Sequence, residues 1–536
     1  MAKNIYAAAL NTQIPSNAEK KATPQSKAIP GREKEMAKNN AGGYSFVMDK
    51  WAHLDRFIVM GSEGGNYYTN QTKLTRDNAS NVISCIKEDG VRAIDRIVEI
   101  SDQGRAMKND PAIFALALAA AIGDQKTVQH AFDNLGKVCR IGTHLFQFME
   151  TFNSFGKWRG VAKRGVAKWY ARSEDKLAVQ LLKYQQRNGW SHRDVLRLAH
   201  VKPDTEIKNA MFHWVTKDRA KLDNVMLPAI MTAFEELHAS PSVAKAIAGI
   251  QEFGLSWEML PTELLKEKAI WEALLPKMGL TALIRNLGRM SAIGVTAPLS
   301  SGEKQIIGRL SNVEDIKNSR VHPIFILNAI KTYSQGRGDK GSLTWSVSRR
   351  VVDALNDAFY ASFKNIEPTG ENYFLAIDCS GSMFGARCMG LDKISAAEAA
   401  AVMALATAKA EKNYWIGGFS NDLQPLKISP KMTLEQVLHV MQKFPWAGTD
   451  CAQPMLYAKQ HKMDVDKFVV YTDNETWAGR VHPIQALKQY RDKYGKGKLI
   501  VCGTSVSNFS IADPNDAGML DVVGFDSATP QLISQF

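Results

Sequence analysis

The sequence predicts a long α-helical solenoid followed by an α/β domain built on an open parallel sheet. From about residue 43 to 365, most segments place apolar residues at helical spacing and are separated by Gly, Pro, Asn and Ser. From about 366 onward, short apolar runs alternate with helical segments, which is typical of parallel sheets with helices on both faces. The length of 536 residues agrees with two or more domains.

The composition bounds the class of protein. Hydrophobic residues make up 45% and charged residues 23% of the chain, as in soluble globular proteins. We expect no membrane span, because no apolar run reaches about 18 residues, and the first 20 residues lack the apolar core of a secretory signal. The 6 cysteines are scattered without a CxxC pair, which indicates a reducing compartment and neither a zinc ribbon nor a disulfide framework. We therefore expect a cytoplasmic protein.

The first element along the chain is a polar arm. Residues 17–42 are rich in Pro, Ala and Lys and show no sustained periodicity. Such a segment buries too little apolar surface to fold alone. We therefore expect residues 1–42 to form a flexible or loosely packed lead-in.

The second element, residues 43–365, is predicted to be helical throughout. Segments such as "PAIFALALAAAIG", "HRDVLRLAHV", "VAKAIAGIQEFG" and "LTALIRNLGRM" have the apolar spacing of short amphipathic or buried helices. The sequence contains no exact repeat, yet helix follows helix without strands. This pattern predicts an α-solenoid of degenerate helix pairs, which offers an extended concave surface.

The third element, residues 366–536, is predicted to be an α/β domain. The strands are expected at "NYFLAID", "YWIGGFS", "KFVVYTD" and "KLIVCGT", with the Ala-rich helix "DKISAAEAAAVMALATAKAEK" among those between them. Ligands of such sheets bind beyond the carboxyl ends of the strands. Asp378 and Asp473 both fall at that edge.

Oxygen-bearing side chains gather at these predicted strand ends. A D-x-S-x-S motif directly follows the first strand, "WAGTD" adds a threonine, and "FVVYTD" adds a second aspartate. An all-oxygen set suits a hard divalent cation such as Mg²⁺ rather than zinc, and two carboxylates leave room for water or a partner's acidic group. The pattern resembles the metal-ion-dependent adhesion site of von Willebrand factor A domains. The resemblance implies a magnesium-type site at Asp378, Ser380, Ser382, Thr449 and Asp473.

Other interpretations of this motif explain less. Ser380 or Ser382 could cap the following helix, and Asp378 could accept loop amides, but capping does not account for Thr449 and Asp473. A nucleophilic serine would want a G-x-S-x-G elbow and a suitably placed histidine, and no P-loop is present. A two-metal nuclease would want more carboxylates. We therefore do not expect an enzyme.

The positive charge is concentrated in the helical part. Residues 1–350 carry 50 Lys and Arg against 34 Asp and Glu, whereas residues 351–536 carry 17 against 20. Residues 151–200 alone hold 11 against 3. Such a cluster indicates a surface that binds a polyanion. The alternative is a basic face that serves only solubility.

The richest basic stretch is 157–203. Three of its cations are predicted on one helix, and the others surround the loop "RNGWSH", where Ser191 is a natural N-cap whose helix-start amides could face a phosphate. Trp169 and Trp190 could stack on bases, although the core is favoured for both. The candidate contacts are Lys163, Arg164, Lys168, Arg187, His192, Arg193 and Arg197, of which His192 could equally be a capping or core histidine.

The motifs "RNGWSHRDVLRLAHVKP", "AGGYSFVMDKWAHLDRFIVMGSEGGNYYTN", "LTALIRNLGRM" and "VHPIFILNAIKTYSQGRG" resemble those of the TROVE family of Ro and Rsr proteins, over residues 43–536. The resemblance implies a ring of HEAT-like helical repeats closed by a von Willebrand factor A domain. It implies that misfolded noncoding RNA is bound through single-stranded 3′ ends in a positively charged hole, and that Y RNAs bind the outer basic surface. By its place in "GWSHRD", His192 matches a family histidine implicated in RNA binding.

We therefore expect a monomeric noncoding-RNA-binding scaffold that binds a divalent cation, with Mg²⁺ as the expected ion, and that has no catalysis of its own. Its expected partners are Y-like RNA, misfolded RNA and single-stranded 3′ ends, with an exoribonuclease reached through the RNA and with neither membrane nor DNA. The alternative is a metal-dependent protein-adhesion scaffold whose helical part is a spacer. The charge distribution disfavours that alternative, because the basic residues lie on the supposed spacer.

Overall fold

The computed structural model contains two compact units. The described residues 22–56 and 363–536 belong to an α/β unit, and residues 57–61 and 79–362 to a helical unit. The predicted boundary at 365/366 and residues 1–21 of the predicted arm lie outside the described residues. The described residues are 22–61, 79–106, 108–216, 226–319, 321–339, 341–363, 368–388, 393–445, 447–504, 508–526 and 528–536.

The N-terminal segment is part of the α/β unit. Strands β1 (Met36–Lys38) and β2 (Tyr44–Val47) form an antiparallel hairpin and are followed by helix α1 (Lys50–Met60). The turn between the two strands is closed by a hydrogen bond from the Asn39 amide to the Gly43 carbonyl at 2.7 Å. For residues 22–42 the structure thus differs from the expected flexible arm, because these residues are paired and packed.

The helical unit has the predicted class, with helices joined by short connections. Successive helices pack on one another, as expected for a solenoid of helix pairs. The helices are α2 (Ser80–Gln103), α3 (Asp110–Ile122), α4 (Gln125–Asp133), α5 (Leu135–Val138), α6 (Gly142–Phe155), α7 (Gly160–Trp169), α8 (Glu174–Lys183), α9 (His192–Ala199), α10 (Glu206–Thr216), α11 (Ala229–Ala239), α12 (Val243–Phe253), α13 (Lys268–Leu274), α14 (Leu280–Ala292), α15 (Ser301–Leu310), α16 (Val313–Asn318), α17 (Pro323–Ser334) and α18 (Arg349–Ala361).

Helix α3 illustrates why this unit folds. Its sequence is apolar on all sides, and nearly every residue from Pro111 to Ala120 is buried where α2, α4 and α6 pack around it. Pro111 stands in the first turn, where a missing amide hydrogen leaves no bond unmade.

Between α8 and α9 a small hairpin of β3 (Gln186–Arg187) and β4 (Trp190–Ser191) interrupts the helices. Among the described residues, no helix has both the length and the apolarity that crossing a membrane requires.

The α/β unit contains the predicted parallel sheet. The strands from residue 372 onward are β5 (Asn372–Asp378), β6 (Asn413–Phe419), β7 (Leu423–Pro425), β8 (Lys467–Thr472), β9 (Lys498–Gly503), β10 (Phe509–Ser510) and β11 (Met519–Val523). All of them except β10 belong to this sheet, whose spatial order is β11-β9-β8-β5-β6-β7, and every neighbouring pair is parallel except β6 with β7. The helices are α19 (Gly381–Gly385), α20 (Ala396–Ala410), α21 (Leu434–Gln442), α22 (Gln453–Gln460), α23 (Pro483–Tyr494) and α24 (Thr529–Gln535).

All four predicted strands are present as β5, β6, β8 and β9, and each is buried over almost its whole length. A sheet buried on both faces explains why these strands read as continuous apolar runs. Helix α20, which starts with a capping box formed by Ser395 and Glu398, covers β5 with small alanines. The chain leaves β5 for β6 on one side and returns to β8 on the other, so β5 and β8 flank a change of direction where such sheets bind ligands.

A second sheet joins the N-terminal segment to the C-terminal part of the unit. Strand β2 lies between β1 and β10, with Val47 opposite Phe509. Arg32 reinforces this junction through an ion pair to Asp513 and by stacking over the Phe46 ring at 4.5 Å. Sequence periodicity did not predict these strands, because β1 and β2 are only 3 and 4 residues long and the second partner of β2, strand β10, lies more than 450 residues along the chain.

Candidate functional site

The two aspartates of the predicted metal site come from adjacent strands. Asp378 ends β5, Asp473 directly follows β8, and the parallel register of these strands places Ile377 opposite Tyr471. Both carboxylates are fully buried. Thr472, the last residue of β8, donates its hydroxyl hydrogen to Oδ2 of Asp378 at 2.6 Å. Thr472 was not among the predicted site residues, although its place one residue before Asp473 at a strand end was a usable signal.

The turn after β5 gathers the two serines. Oδ1 of Asp378 accepts the amide hydrogen of Ser380 at 2.9 Å, and the hydroxyl oxygens of Ser380 and Ser382 lie 2.9 Å apart. Ser380 occupies the N-cap position of α19, yet within the described residues its side chain makes no capping bond to that helix. The alternative of a Ser380 helix cap is therefore not realised, whereas Asp378 does accept a loop amide.

Thr449 lies on the loop that precedes α22 and is buried. Its carbonyl accepts the amide hydrogens of Trp477 and Ala478, both at 3.0 Å. These bonds attach the loop of Thr449 to the segment that follows Asp473. The structure thus brings the three predicted segments to one edge of the sheet.

The electrostatics of this edge favour a cation. Burial, and next the negative charge of Asp473, raise the pKa of Asp378 from its ordinary 3.8 to about 7, against hydrogen bonds from Thr472 and Ser380 that lower it. A divalent cation would offset both buried charges, and carboxylate and hydroxyl oxygens are the donors that Mg²⁺ accepts. Within the described part of the chain, no three His, Cys, Asp or Glu side chains converge on a metal-holding position. The donors that the sheet edge offers are two carboxylates and three hydroxyls, a set that fits a hard cation.

The first group of predicted basic contacts lies on α7. Arg164 and Lys168 are exposed there, and Lys163 is half-buried. Lys168 pairs with Asp133 of α4, with 2.7 Å between Nζ and Oδ1, and 63% of its side chain remains exposed. An ion pair this exposed contributes little to stability.

The second group surrounds the small hairpin. Arg187 on β3 is exposed, and Asn188 and Gly189 form the turn with φ of 52° and 77°, as in a two-residue hairpin. Ser191 caps α9 through a capping box with Asp194. One turn apart on α9, Arg193 and Arg197 are both exposed. Helices α7 and α9 pack on each other, so the two basic groups lie on neighbouring elements.

His192 lies inside the helical unit, which corrects the prediction of a direct RNA contact. Only 2% of the residue is exposed. Its Nδ1 lies 2.9 Å from the Tyr170 hydroxyl, its Nε2 lies 3.3 Å from the Gln180 carbonyl, and the Phe146 ring packs edge-on at 4.8 Å. Burial lowers the pKa of His192 to about 4, so the ring is neutral near pH 7. The core alternative for this histidine is the one observed.

A signal for this burial was present in the sequence. His192, Val195, Leu196 and Ala199 occupy one face of α9 at helical spacing, and all four are buried. Trp169 is buried as well, with its indole N–H donating to the Cys139 carbonyl at 2.6 Å, which confirms its core interpretation. Trp190 is half-buried.

Comparison with known proteins gives matches to both parts of the chain. The family model for the Ro60 vWA domain matches residues 372–536, and the TROVE domain model matches residues 37–238 and 251–332. The chain is 39% identical over 519 residues to "RNA-binding protein RO60" of Deinococcus radiodurans, covering 96% of this chain and 97% of that one. It is 33% identical over 585 residues to "RNA-binding protein RO60" of Caenorhabditis elegans, covering 93% and 89%.

The fold has a solved counterpart. The crystal structure of the Deinococcus radiodurans RO (RSR) protein superposes with a TM-score of 0.71 at 38% identity, covering 91% of this chain and 99% of that one. Both family models together span most of the chain: the vWA model lies within the α/β unit, whereas the TROVE model covers much of the helical unit and begins at residue 37, within the α/β unit. The resemblance seen in the sequence is thereby confirmed, and the chain belongs to the TROVE-domain family of Ro60-type proteins.

Proposed function

We propose that this protein binds noncoding RNA as a scaffold of the Ro type and does not catalyse a reaction. Its RNA ligands are Y-like RNAs and misfolded RNAs with single-stranded 3′ ends. Two relatives that match nearly the whole chain are named RNA-binding proteins, which supports this class of ligand. The protein-adhesion alternative is not favoured, since the basic residues lie on the helical unit.

The observation that carries the proposal is a set of cations without acidic partners. Among the described residues, no carboxylate forms an ion pair with the side chains of Lys163, Arg164, Arg187, Arg193 and Arg197. Four of the five are exposed. Charges that are not neutralised by the protein are available to phosphates, whose contacts dominate affinity for nucleic acids.

The other two predicted contacts take different roles. Lys168 can exchange its exposed pair with Asp133 for a phosphate at low cost. His192 is buried and positions its neighbour Arg193, because it holds the first turn of α9 against the core. We therefore assign phosphate contacts to the six cations and a positioning role to His192.

We further propose that Asp378, Ser380, Ser382, Thr449 and Asp473 hold one Mg²⁺. When bound, the ion supplies a positive centre with open coordination positions for water or an acidic group of a partner. The residues of the chain supply burial, two negative charges and three hydroxyls at one sheet edge. Because the site lies in the α/β unit, we assign it to partner recognition rather than to RNA contact.

The cellular setting follows from the chemistry of the chain. All 6 cysteines lie among the described residues, where all are buried and none is in a disulfide, which suits a reducing compartment. We place the protein in the cytoplasm, as a monomer that meets an exoribonuclease through the RNA both proteins hold.

The proposal is tested by incubating the pure protein with Mg²⁺ and end-labelled RNA that carries a single-stranded 3′ tail. We expect the RNA to be retained on a filter and recovered at full length. Substituting Arg193→Ala with Arg197→Ala should weaken retention, whereas Lys245→Ala with Lys266→Ala, two exposed lysines outside the basic stretch, should not. Cleaved RNA, or equal retention by all three proteins, would contradict the proposal. Sequencing the RNA that copurifies with the protein identifies the ligand.

A further inference from the structure

We propose that Gln25 is a positioning residue for the metal site, because it ties together the two loops that carry Thr449 and Asp473. This inference rests on the proposed Mg²⁺ site and adds to it a residue from the far end of the chain. The segment from Gln25 to Tyr44, here called the strap, lies across these loops within the α/β unit.

The side chain of Gln25 is fully buried and uses each of its polar atoms. Its Nε2 donates to Oδ1 of Asp450 and to the Val481 carbonyl, both at 2.7 Å. Its Oε1 accepts the hydroxyl hydrogen of Thr476. One amide therefore joins the residue after Thr449 to the loop that begins at Asp473.

The backbone of Gln25 is hydrogen-bonded as well. The amide hydrogen of Gln25 is donated to the Gly479 carbonyl at 2.9 Å, and its carbonyl accepts from Tyr44 at 2.8 Å. Gly479 leaves no spare room, because a Cβ there would stand 2.2 Å from Nε2 of Gln25 and 2.3 Å from Oδ1 of Asp450. The position of the amide is thus determined on both sides, and a shift of either loop breaks a bond.

The second loop is held at further points by the strap. Asn39 donates to the Thr476 carbonyl at 2.7 Å, Asn40 donates to Oε1 of Glu475 at 2.7 Å, and the Ala41 amide donates to Oε2 of Glu475 at 3.0 Å. The Glu475 amide in turn donates to Oδ1 of Asp473 at 3.0 Å. The strap therefore reaches the metal-site carboxylate through one intervening residue.

The loop that carries Thr449 is also fixed by hydrogen bonds to Asp450. Oδ1 of Asp450 also accepts the Ala452 amide at 3.0 Å, and its Oδ2 accepts from the Gln453 side chain at 2.8 Å at the start of α22. Thr449 therefore stands directly before a residue that is bonded on three sides. Metal affinity responds to such outer partners by about 10–100-fold, because ligand distances tolerate shifts of only about 0.2 Å.

The test is a titration of the full chain with Mn²⁺, a spin-active substitute for Mg²⁺, in which free Mn²⁺ is counted by electron paramagnetic resonance. We expect Gln25→Leu to raise the Mn²⁺ dissociation constant by about tenfold. The matched control is Gln485→Leu, which removes another glutamine side chain of the same unit, whose Oε1 accepts the Thr23 backbone amide at 2.9 Å between α23 and the residues just before the strap. This control should lower the melting temperature in EDTA as Gln25→Leu does, yet keep the wild-type Mn²⁺ affinity.

The inference is overturned if folded Gln25→Leu binds Mn²⁺ as tightly as the wild type, or if Gln485→Leu weakens binding equally. If Gln25→Leu does not fold, Thr476→Val breaks the same link with little change in volume, and wild-type affinity in that variant overturns the inference too. Failure of the proposed Mg²⁺ site gives a different result. In that case the wild type and Asp378→Ala bind Mn²⁺ alike, and the inference falls with the site.

Discussion

The hydroxyl of Tyr170 lies 2.9 Å from Nδ1 of His192, in the interior of the helical unit. On the other side of the ring, Nε2 faces the Gln180 carbonyl at 3.3 Å. A neutral imidazole satisfies both contacts when Nε2 donates to the carbonyl and Nδ1 accepts from the phenol. The histidine of the motif "GWSHRD" thus supports the start of α9, and the exposed arginine beside it faces solvent.

We predict that Tyr170→Phe destabilises the helical unit without a matching loss of RNA affinity. The substitution leaves Nδ1 of a buried histidine without its partner, which costs about 1–3 kcal/mol. Urea unfolding measures this loss, and filter binding at a temperature where the protein is folded should change by less than Arg193→Ala changes it. The half-buried Tyr184 offers the control Tyr184→Phe. A Tyr170→Phe protein with normal stability and lost RNA affinity would place His192 at the RNA instead.

Stability should fall in mild acid because of buried imidazoles. Burial lowers the pKa of both His192 and His144 to about 4, below the ordinary 6.5. Between these values the unfolded chain binds more protons, so the contribution to stability is complete above pH 6.5 and is lost as pH falls toward 4. Each histidine contributes a slope of up to about 1.4 kcal/mol per pH unit. Urea unfolding between pH 7.5 and 5 measures the slope.

Removing one of these histidines provides the check on the pH dependence. His192→Gln should reduce the slope of unfolding free energy against pH by the contribution of one imidazole. His144→Gln serves as an independent second variant. A slope that is unchanged in both variants would assign the acid sensitivity to other groups.

Salt should weaken RNA binding in proportion to the number of phosphate contacts. With about half a dozen contacts, log K against log salt should have a slope of roughly −3 to −5 for single strands. Neutralising Lys163, Arg164 and Lys168 should make the slope shallower by about 2, and neutralising Arg193 with Arg197 by about 1.4. Filter-binding titrations from low to moderate salt measure both changes. A slope equal to that of the wild type would show that the substituted cations face only solvent. The control Lys245→Ala with Lys266→Ala should keep the wild-type slope.

The metal site should control stability and not RNA affinity. In EDTA the raised pKa of Asp378 means that the folded chain binds more protons between about pH 4 and 7, so metal-free stability falls as pH rises through that range. Asp378→Asn should remove this fall and also abolish the stabilisation by Mg²⁺, measured as a change in melting temperature. Asp492→Asn, at an exposed position on α23, is the matched control. Loss of RNA binding by folded Asp378→Asn would refute the separation of the two sites.

Local patterns in the sequence were sufficient for the architecture. The apolar runs ending at Asp378 and at Asp473 predicted β5 and β8, and parallel pairing then brings their carboxyl ends together. Ser191, predicted as an N-cap, likewise marked the start of α9, where the structure shows it in a capping box with Asp194. Such features follow from residues within one element, because side-chain direction repeats every 2 residues in a strand and about every 3.6 in a helix.

The tertiary structure alone decided which polar groups the protein satisfies itself. Lys168 and Arg164 have the same pattern in the sequence, yet among the described residues only Lys168 pairs with a carboxylate, that of Asp133 on another helix. Gln25 reads as part of a polar arm, yet its amide is buried against Asp450 and Thr476. The physical reason is that a polar side chain is satisfied by whatever the fold places within hydrogen-bond reach, and for Gln25 those partners are more than 420 residues away. Local periodicity carries no record of such contacts.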